Sequence, residues 1–302
     1  MLYRPLGRTG LDVSEIGFGA ASWWGMAQFS EAAAVRLVHA ALDGGVTLFD
    51  TGSSYSRGHA EARLGRALKG RDLSSLVVAS KAGTFAAGRG VRRDFSPAAI
   101  VASAERSLRN LGLETLPLLQ LHGPAAGELT DELRTALADL KARGLIRAVG
   151  VNSFDPAVIG RAIALADIDV VMVDYNVLRS DREPLIAAAA QAGKGVLAGM
   201  PLAMGHLGVR LWKIRAPRDI WYAARGVLRH RREVREGARF GFLNHLPGMT
   251  GAQAALAYVL ANPNVASAVT GATRLAHLSE NLAASGVALP PEALAAIRAR
   301  QP

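Results

Sequence analysis

Short apolar, β-branched runs alternate regularly in this chain with longer Ala-, Leu- and Arg-rich segments of helical period. The runs Ser14–Gly19, Leu48–Asp50, Leu76–Lys81, Leu118–His122, Ile146–Asn152, Val170–Asp174, Gly195–Gly199 and Val265–Thr270 read as strands. Glu31–Leu42, Ala60–Leu68, Pro97–Leu111, Asp131–Arg143, Pro156–Leu165, Glu183–Ala190, Gly251–Ala261 and Leu275–Ala284 read as the helices that follow them. The strand ends fall near residues 19, 50, 81, 122, 152, 174, 199 and 270, so every interval but the last holds about one β/α unit. Eight such units without an interior linker predict an α/β chain folded as a closed (β/α)8 TIM barrel, one domain over 1–302. A doubly wound sheet is the alternative. Its glycine fingerprint for dinucleotides starts at Gly17 and Gly19 but meets Ser22 at the third position, which favours the barrel.

Composition narrows the chemistry. Half of the 302 residues are hydrophobic, too many for a disordered chain. The absence of cysteine excludes a disulfide framework, a Cys-ligated metal and thiol catalysis, and no metal site is expected. The first residues alternate around Gly7 and the pair Thr9-Gly10, which predicts a β-hairpin closing the barrel floor. They lack a basic-then-apolar signal pattern, and the uncharged stretch from Gly248 to Thr273 is broken by Gln253, Asn262, Pro263 and Asn264. A cytoplasmic protein without a membrane partner is expected, with a monomer as the default.

The formal charge of +10 is unevenly placed. The long insert after strand seven, 200–248, holds ten basic and three acidic residues, and its Pro217–Glu236 part reads as a helix. Three readings stay open for it: a solvated arginine-rich helix, a lid over the catalytic face, or a polyanion surface. As a lid it would bring Trp212, Trp221 and Tyr222 to the pocket. No nucleic-acid motif accompanies the charge, so no nucleic-acid partner is expected.

In such a barrel, chemistry gathers where strands end. The second strand ends in Asp50 with Tyr55 in the following loop, the third in Lys81, the fourth in His122 and the fifth in Asn152-Ser153. A phenol with an unperturbed pKa of about 10 exchanges protons poorly at neutral pH. An ammonium beside it favours the phenolate, and a carboxylate fixes that ammonium. A neutral imidazole can orient a carbonyl oxygen. Together these groups suit protonation of a carbonyl oxygen while hydride attacks its carbon, and hydride implies a nicotinamide or flavin.

These residues resemble the aldo-keto reductase family over nearly the whole chain. YRPLGRTGLDVSEIGFGA resembles that family's N-terminal hairpin and first strand, and LFDTGSSYSRGHAEARLGRAL its Asp-to-Tyr segment. VVASK, LLQLHGP and GLIRAVGVNSF resemble its next strand ends, and AVTGATRLAHLSEN its adenosine-phosphate segment. The resemblance implies a tetrad of Asp50, Tyr55, Lys81 and His122. Tyr55 would be the general acid in reduction, with its pKa depressed by Lys81, and His122 would orient a small-molecule aldehyde or ketone. It implies Asn152 and Ser153 at the nicotinamide carboxamide, Met172, Gly199, Met200 and Leu202 along the ring, and Trp23 and Trp24 beside Tyr55 and His122 as substrate walls. Thr270, Gly271, Ala272, Thr273, Arg274, His277, Glu280 and Asn281 would line the adenine end. Arg274 and His277 would face a 2′-phosphate, so NADPH/NADP is expected in preference to NADH.

The chain also departs from the family pattern. The usual Ser-Asn pair is reversed at Asn152-Ser153, Met172 stands where a glutamine is common, and Gly199 followed by Met200 replaces an aromatic ring. These departures imply altered seating of the nicotinamide. They keep a second reading open, a cofactor-binding regulatory or accessory protein with little turnover. A third, a lyase using Lys81 as a Schiff base, gains nothing from Asp50 and Tyr55.

Overall fold

In the computed structural model, which describes residues 1–88, 90–203 and 235–301, eight parallel strands close into a barrel. An antiparallel hairpin comes first, β1 (Tyr3–Pro5) and β2 (Asp12–Ser14), with Tyr3 opposite Ser14. The barrel strands are β3 (Ile16–Gly19), β4 (Leu48–Asp50), β5 (Val77–Ala82), β8 (Leu116–His122), β9 (Ile146–Asn152), β10 (Val170–Asp174), β11 (Gly195–Gly199) and β12 (Ser267–Thr270). They run in chain order around the barrel, and β12 closes it by pairing with β3. The expected first strand splits at Glu15. Its first residue belongs to the hairpin, because Ser14 turns its hydroxyl back onto the Ile16 carbonyl.

Helices α1 (Glu31–Asp43), α2 (Ala60–Leu68), α3 (Pro97–Leu111), α4 (Asp131–Ala142), α5 (Pro156–Ala164), α6 (Glu183–Gln191), α7 (Gly251–Leu260) and α8 (Leu275–Leu282) each follow one barrel strand. Their starts are legible in the sequence. Ser30, Ser96, Thr130, Asp155 and Thr250 each accept a hydrogen bond from a first-turn amide, and Thr250 with Gln253 forms a full capping box. A ninth helix, α9 (Pro291–Arg298), and an antiparallel hairpin of β6 (Thr84–Ala87) and β7 (Gly90–Arg93) after β5 were not expected.

Two apolar layers build the molecule. Inside the barrel, Leu48, Val77, Ala79, Leu118, Ala148, Val170, Met172, Leu197 and Val269 pack on Leu6, Leu11 and Val13 of the hairpin. The floor is therefore plugged from below, as expected. Gly7 makes this possible: its φ is +59°, and a Cβ there would stand 2.2 Å from the Gly195 amide nitrogen. Outside, Val78, Leu119, Val149, Val171 and Val196 face the helices. Strands buried on both sides read as continuous apolar runs, so polar residues at their ends stand out.

Of the basic insert, the described part is 200–203 and 235–248. Phe240 and Leu243 of the 3-10 segment Ala238–His245 are buried in the core. Most of the expected Pro217–Glu236 helix, with Trp212, Trp221 and Tyr222, lies outside the described residues.

Candidate active site

Strand register brings the chemistry together. Asp50, Lys81 and His122 lie at the C-terminal ends of three successive barrel strands and turn inward; in register Asp50 pairs with Ala79, Lys81 with Gln120 and His122 with Asn152. Lys81 has no exposed surface. Its Nζ donates to Asp50 Oδ2 at 2.5 Å and to the Thr51 carbonyl at 2.9 Å. The chain after β4 wraps closely over the lysine stem, and Gly52 permits it, because a Cβ there would already stand 3.3 Å from Lys81 Cβ. The wrap delivers Tyr55, whose ring centre lies 4.7 Å from Lys81 Nζ and meets the His122 ring edge-on at 5.3 Å. The four candidate tetrad residues thus form a continuous chain of contacts, Asp50 to Lys81, Lys81 to Tyr55 and Tyr55 to His122.

The electrostatics follow from burial. Desolvation pushes the Tyr55 phenol above its ordinary value; the Lys81 ammonium opposes the rise and the Asp50 carboxylate adds to it. Lys81 acts in the expected direction, but burial outweighs it, so the phenol holds its proton at neutral pH. Burial pulls Lys81 down as well, yet Asp50 and Tyr55 together raise it above the ordinary lysine value. His122 is lowered to about 3, first by desolvation and then by Lys81, which leaves it a neutral imidazole. The Ser54 hydroxyl lies 3.4 Å from His122 Nδ1; with Ser54 donating, Nε2–H becomes the free donor.

Gln120 was missed from sequence. Fully buried two residues before His122, it donates from Nε2 to Asp50 Oδ1 at 2.9 Å. The β6–β7 hairpin also reaches the site, where Thr84 donates to the His122 carbonyl at 2.8 Å and Arg93 to the Gly123 carbonyl at 2.7 Å.

Beyond His122 the mouth turns apolar. Asn152 is buried on β9, while the Ser153 hydroxyl is used locally, accepting from the Asp155 amide at 3.2 Å. Met172 belongs to the barrel interior. A Cβ at Gly199 would stand 3.3 Å from the Met172 Cε and 3.6 Å from the ring of Phe154. Phe154 is 43% exposed, a large apolar side chain at the mouth that sequence reasoning did not single out. Its carbonyl accepts from Arg182, which is held in turn by Asp174 at 2.8 Å. Met200 follows with φ +50°, and its carbonyl accepts from Asn176 at 3.0 Å. Leu202 is partly buried against the core. Among the described residues, every non-glycine residue with positive φ (Ser22, Ser56, Arg57, Met200, Ala203) lies in a loop after a barrel strand. Such strain gathers where function fixes backbone shape.

The last strand leads to a second cluster. Thr270 and Ala272 are buried, whereas Gly271 and Arg274 are exposed. Arg274 and Thr273 line a cleft of about 230 Å³ with Leu275 and with Ala33, Arg36 and Leu37 of α1. Neither Arg36 nor Arg274 has an acidic partner among the described residues. His277 and Glu280 are on the same helix, and Asn281 is buried. Of the two tryptophans, only Trp23 keeps surface. Trp24 is 1% exposed and packs edge-on against Phe18 at 5.8 Å, so it is a core residue rather than a pocket wall.

Known proteins resemble this chain in sequence and fold. Residues 15–301 match the model of the aldo/keto reductase family. The chain is 28% identical over 299 residues to the uncharacterized oxidoreductase YqkF of Bacillus subtilis, covering 94% of this chain and 91% of that protein. It is 30% identical over 296 residues to the L-galactose dehydrogenase of Arabidopsis thaliana, covering 93% and 87%. The holo-form structure of aldo-keto reductase AKR11C1 from Bacillus halodurans superposes with a TM-score of 0.83 at 28% identity, covering 100% of this chain and 97% of that one.

Proposed function

The chain belongs to the aldo/keto reductase family, and we propose that it is an NADP(H)-dependent oxidoreductase that reduces a small aldehyde or ketone to an alcohol. The observation that carries this reading is the convergence of Tyr55, Lys81, Asp50 and a neutral His122 at the barrel mouth. Bound nicotinamide would supply the hydride. The protein's part is to place the carbonyl and to move one proton. His122 Nε2–H holds the carbonyl oxygen, and Tyr55 gives it the phenolic proton. Lys81 then stabilises the phenolate that remains, with Asp50 fixing the ammonium. A neutral His122 suits this division of labour, because an imidazolium would compete with Tyr55 as acid.

The residues fit such a cofactor unequally along its length. Asn152 offers an amide to the carboxamide, and Gly199, Met172 and Phe154 offer an apolar surface to the ring. Met200 and Leu202 continue that wall. Thr273 and Arg274, at the start of α8, suit an anionic adenosine end, with Gly271, Ala272, His277, Glu280 and Asn281 around them. Arg274 and Arg36, two guanidiniums without an acidic partner among the described residues, favour a phosphate-bearing NADPH over NADH. Of the pair Trp23-Trp24, Trp23 is the one left for the substrate side.

A carbonyl panel assayed with NADPH and NADH side by side tests the reading. NADPH consumption is expected, with turnover abolished in Tyr55→Phe while NADPH still quenches the intrinsic fluorescence. Unchanged turnover in that variant refutes the role of Tyr55. One observation favours a binding-only accessory role: neither Met172 nor the internally used Ser153 hydroxyl offers the ring a polar partner. Tight NADPH binding without turnover across the panel would establish that role instead.

A further inference from the structure

One amide breaks the apolar interior just inside the mouth, in register with Lys81 and one layer below His122. Around it the barrel is lined by Leu118, Val77, Ala79, Ala148 and Val170, and Gln120 has no exposed surface. Its Nε2 donates to Asp50 Oδ1, while its Oε1 is buried without a hydrogen-bond partner among the described residues. A buried orphan acceptor is unfavourable, so something must hold the amide this way round. A carboxylate accepts hydrogen bonds and donates none, which fixes Nε2 toward Asp50. The neighbouring strand makes room for the side chain. Gly150 is paired with Gln120 in register, and a Cβ at Gly150 would stand 2.9 Å from Gln120 Cγ.

We propose that Gln120 is a positioning residue for the proton-transfer site: its amide occupies one oxygen of Asp50 so that the other alone holds Lys81 beneath Tyr55. The inference rests on the tetrad reading above. Asp50 has one donor for each oxygen, Gln120 for Oδ1 and Lys81 for Oδ2. Without the amide, Oδ1 faces an apolar layer and its nearest ionic partner is the same ammonium. The carboxylate then turns both oxygens onto Lys81 and draws Nζ away from the Tyr55 ring. The phenolate loses its closest cation, and the phenol becomes harder to deprotonate. Alcohol oxidation, which needs Tyr55 as base, registers this as a pH limb displaced upward.

The test compares the wild type with Gln120→Met and Gln120→Leu, which fill the space without an amide. Four quantities are read: thermal midpoint, NADPH affinity by fluorescence, kcat against KM, and the pH dependence of alcohol oxidation. The expected result is an unchanged or higher midpoint, since the orphan acceptor is gone, and an unchanged NADPH affinity. The limb should shift upward by about one pH unit, with kcat near neutrality down about tenfold and KM retained. A shift below 0.3 unit, a downward shift, or parallel losses in binding and midpoint overturn the proposal. So does failure of both variants to fold, because the amide would then serve stability. A wild type that turns over no carbonyl or alcohol with either nicotinamide refutes the reductase reading and this inference with it. An active wild type whose variants keep its limb refutes the inference alone.

Discussion

His122 offers a sharp test because burial makes it a stability sensor as well as a candidate catalytic group. Its imidazole is lowered from 6.5 to about 3, mainly by desolvation. Between those values the unfolded chain binds a proton that the folded chain does not. The stabilisation is therefore complete above pH 6.5 and is lost as the pH falls toward 3. Between pH 7 and pH 4.5 a shift of this size corresponds to a loss of about 2.5 kcal/mol, nearly all of it below pH 6.5. Asp174 runs the other way. Burial raises it to about 6, so its contribution is present below the ordinary aspartate value and fades as the pH rises through 6. A bare pH scan would mix the two effects. Urea unfolding of wild type and His122→Gln at both pH values separates them, because Asp174 and all other groups are common to both proteins. The wild type should lose about 2.5 kcal/mol more than the variant on acidification. Equal losses would refute the buried, neutral imidazole and, with it, the assignment of His122 Nε2–H as a permanent donor.

The remaining predictions concern the buried ion pair and the adenosine end. Lys81→Met leaves Asp50 charged and without its cation in the barrel, so chemical denaturation should show a loss of about 3–5 kcal/mol; the double variant with Asp50→Asn should recover part of it. A Lys81→Met protein as stable as the wild type would show that the pair is not buried as described. Arg274→Ala should weaken NADPH about tenfold while leaving NADH almost unchanged, read as two fluorescence titrations. Equal losses for both cofactors would remove the phosphate from the role proposed for that guanidinium.

The barrel was legible because parallel strands buried on both faces stay apolar until they reach the mouth, where Asp50, Lys81, His122 and Asn152 interrupt them. Helix starts were legible from their caps. Other features depend on contacts that the local pattern does not carry. Trp24 is adjacent to Trp23 and chemically identical, yet only the fold decides that one ring packs on Phe18 while the other keeps surface. The β6–β7 hairpin is short, and β7 is exposed throughout. Only Thr84 and Phe85 of its first strand are buried, too few to impose an apolar alternation; its signal was the pair Gly88 and Gly90 between two short runs.

Gln120 is the instructive case, because its signal was in plain view. In the run LPLLQLH, strand period places Leu118, Gln120 and His122 on one face, and Leu119 and Leu121 on the other. His122 faces the mouth, so Gln120 must face the barrel interior one layer down, away from water. A polar group there needs a partner on a facing strand, and the interior residues at hand are apolar except at the layer above. That requirement directs the amide toward the polar side chains at the mouth. Its glycine counterpart, Gly150, becomes meaningful only once the register of β8 and β9 is known, since the two residues belong to different strands and neither announces the other. Sequence could thus have identified an inward polar residue in search of a partner; the register of three strands was needed to say that the partner is the residue that holds Lys81.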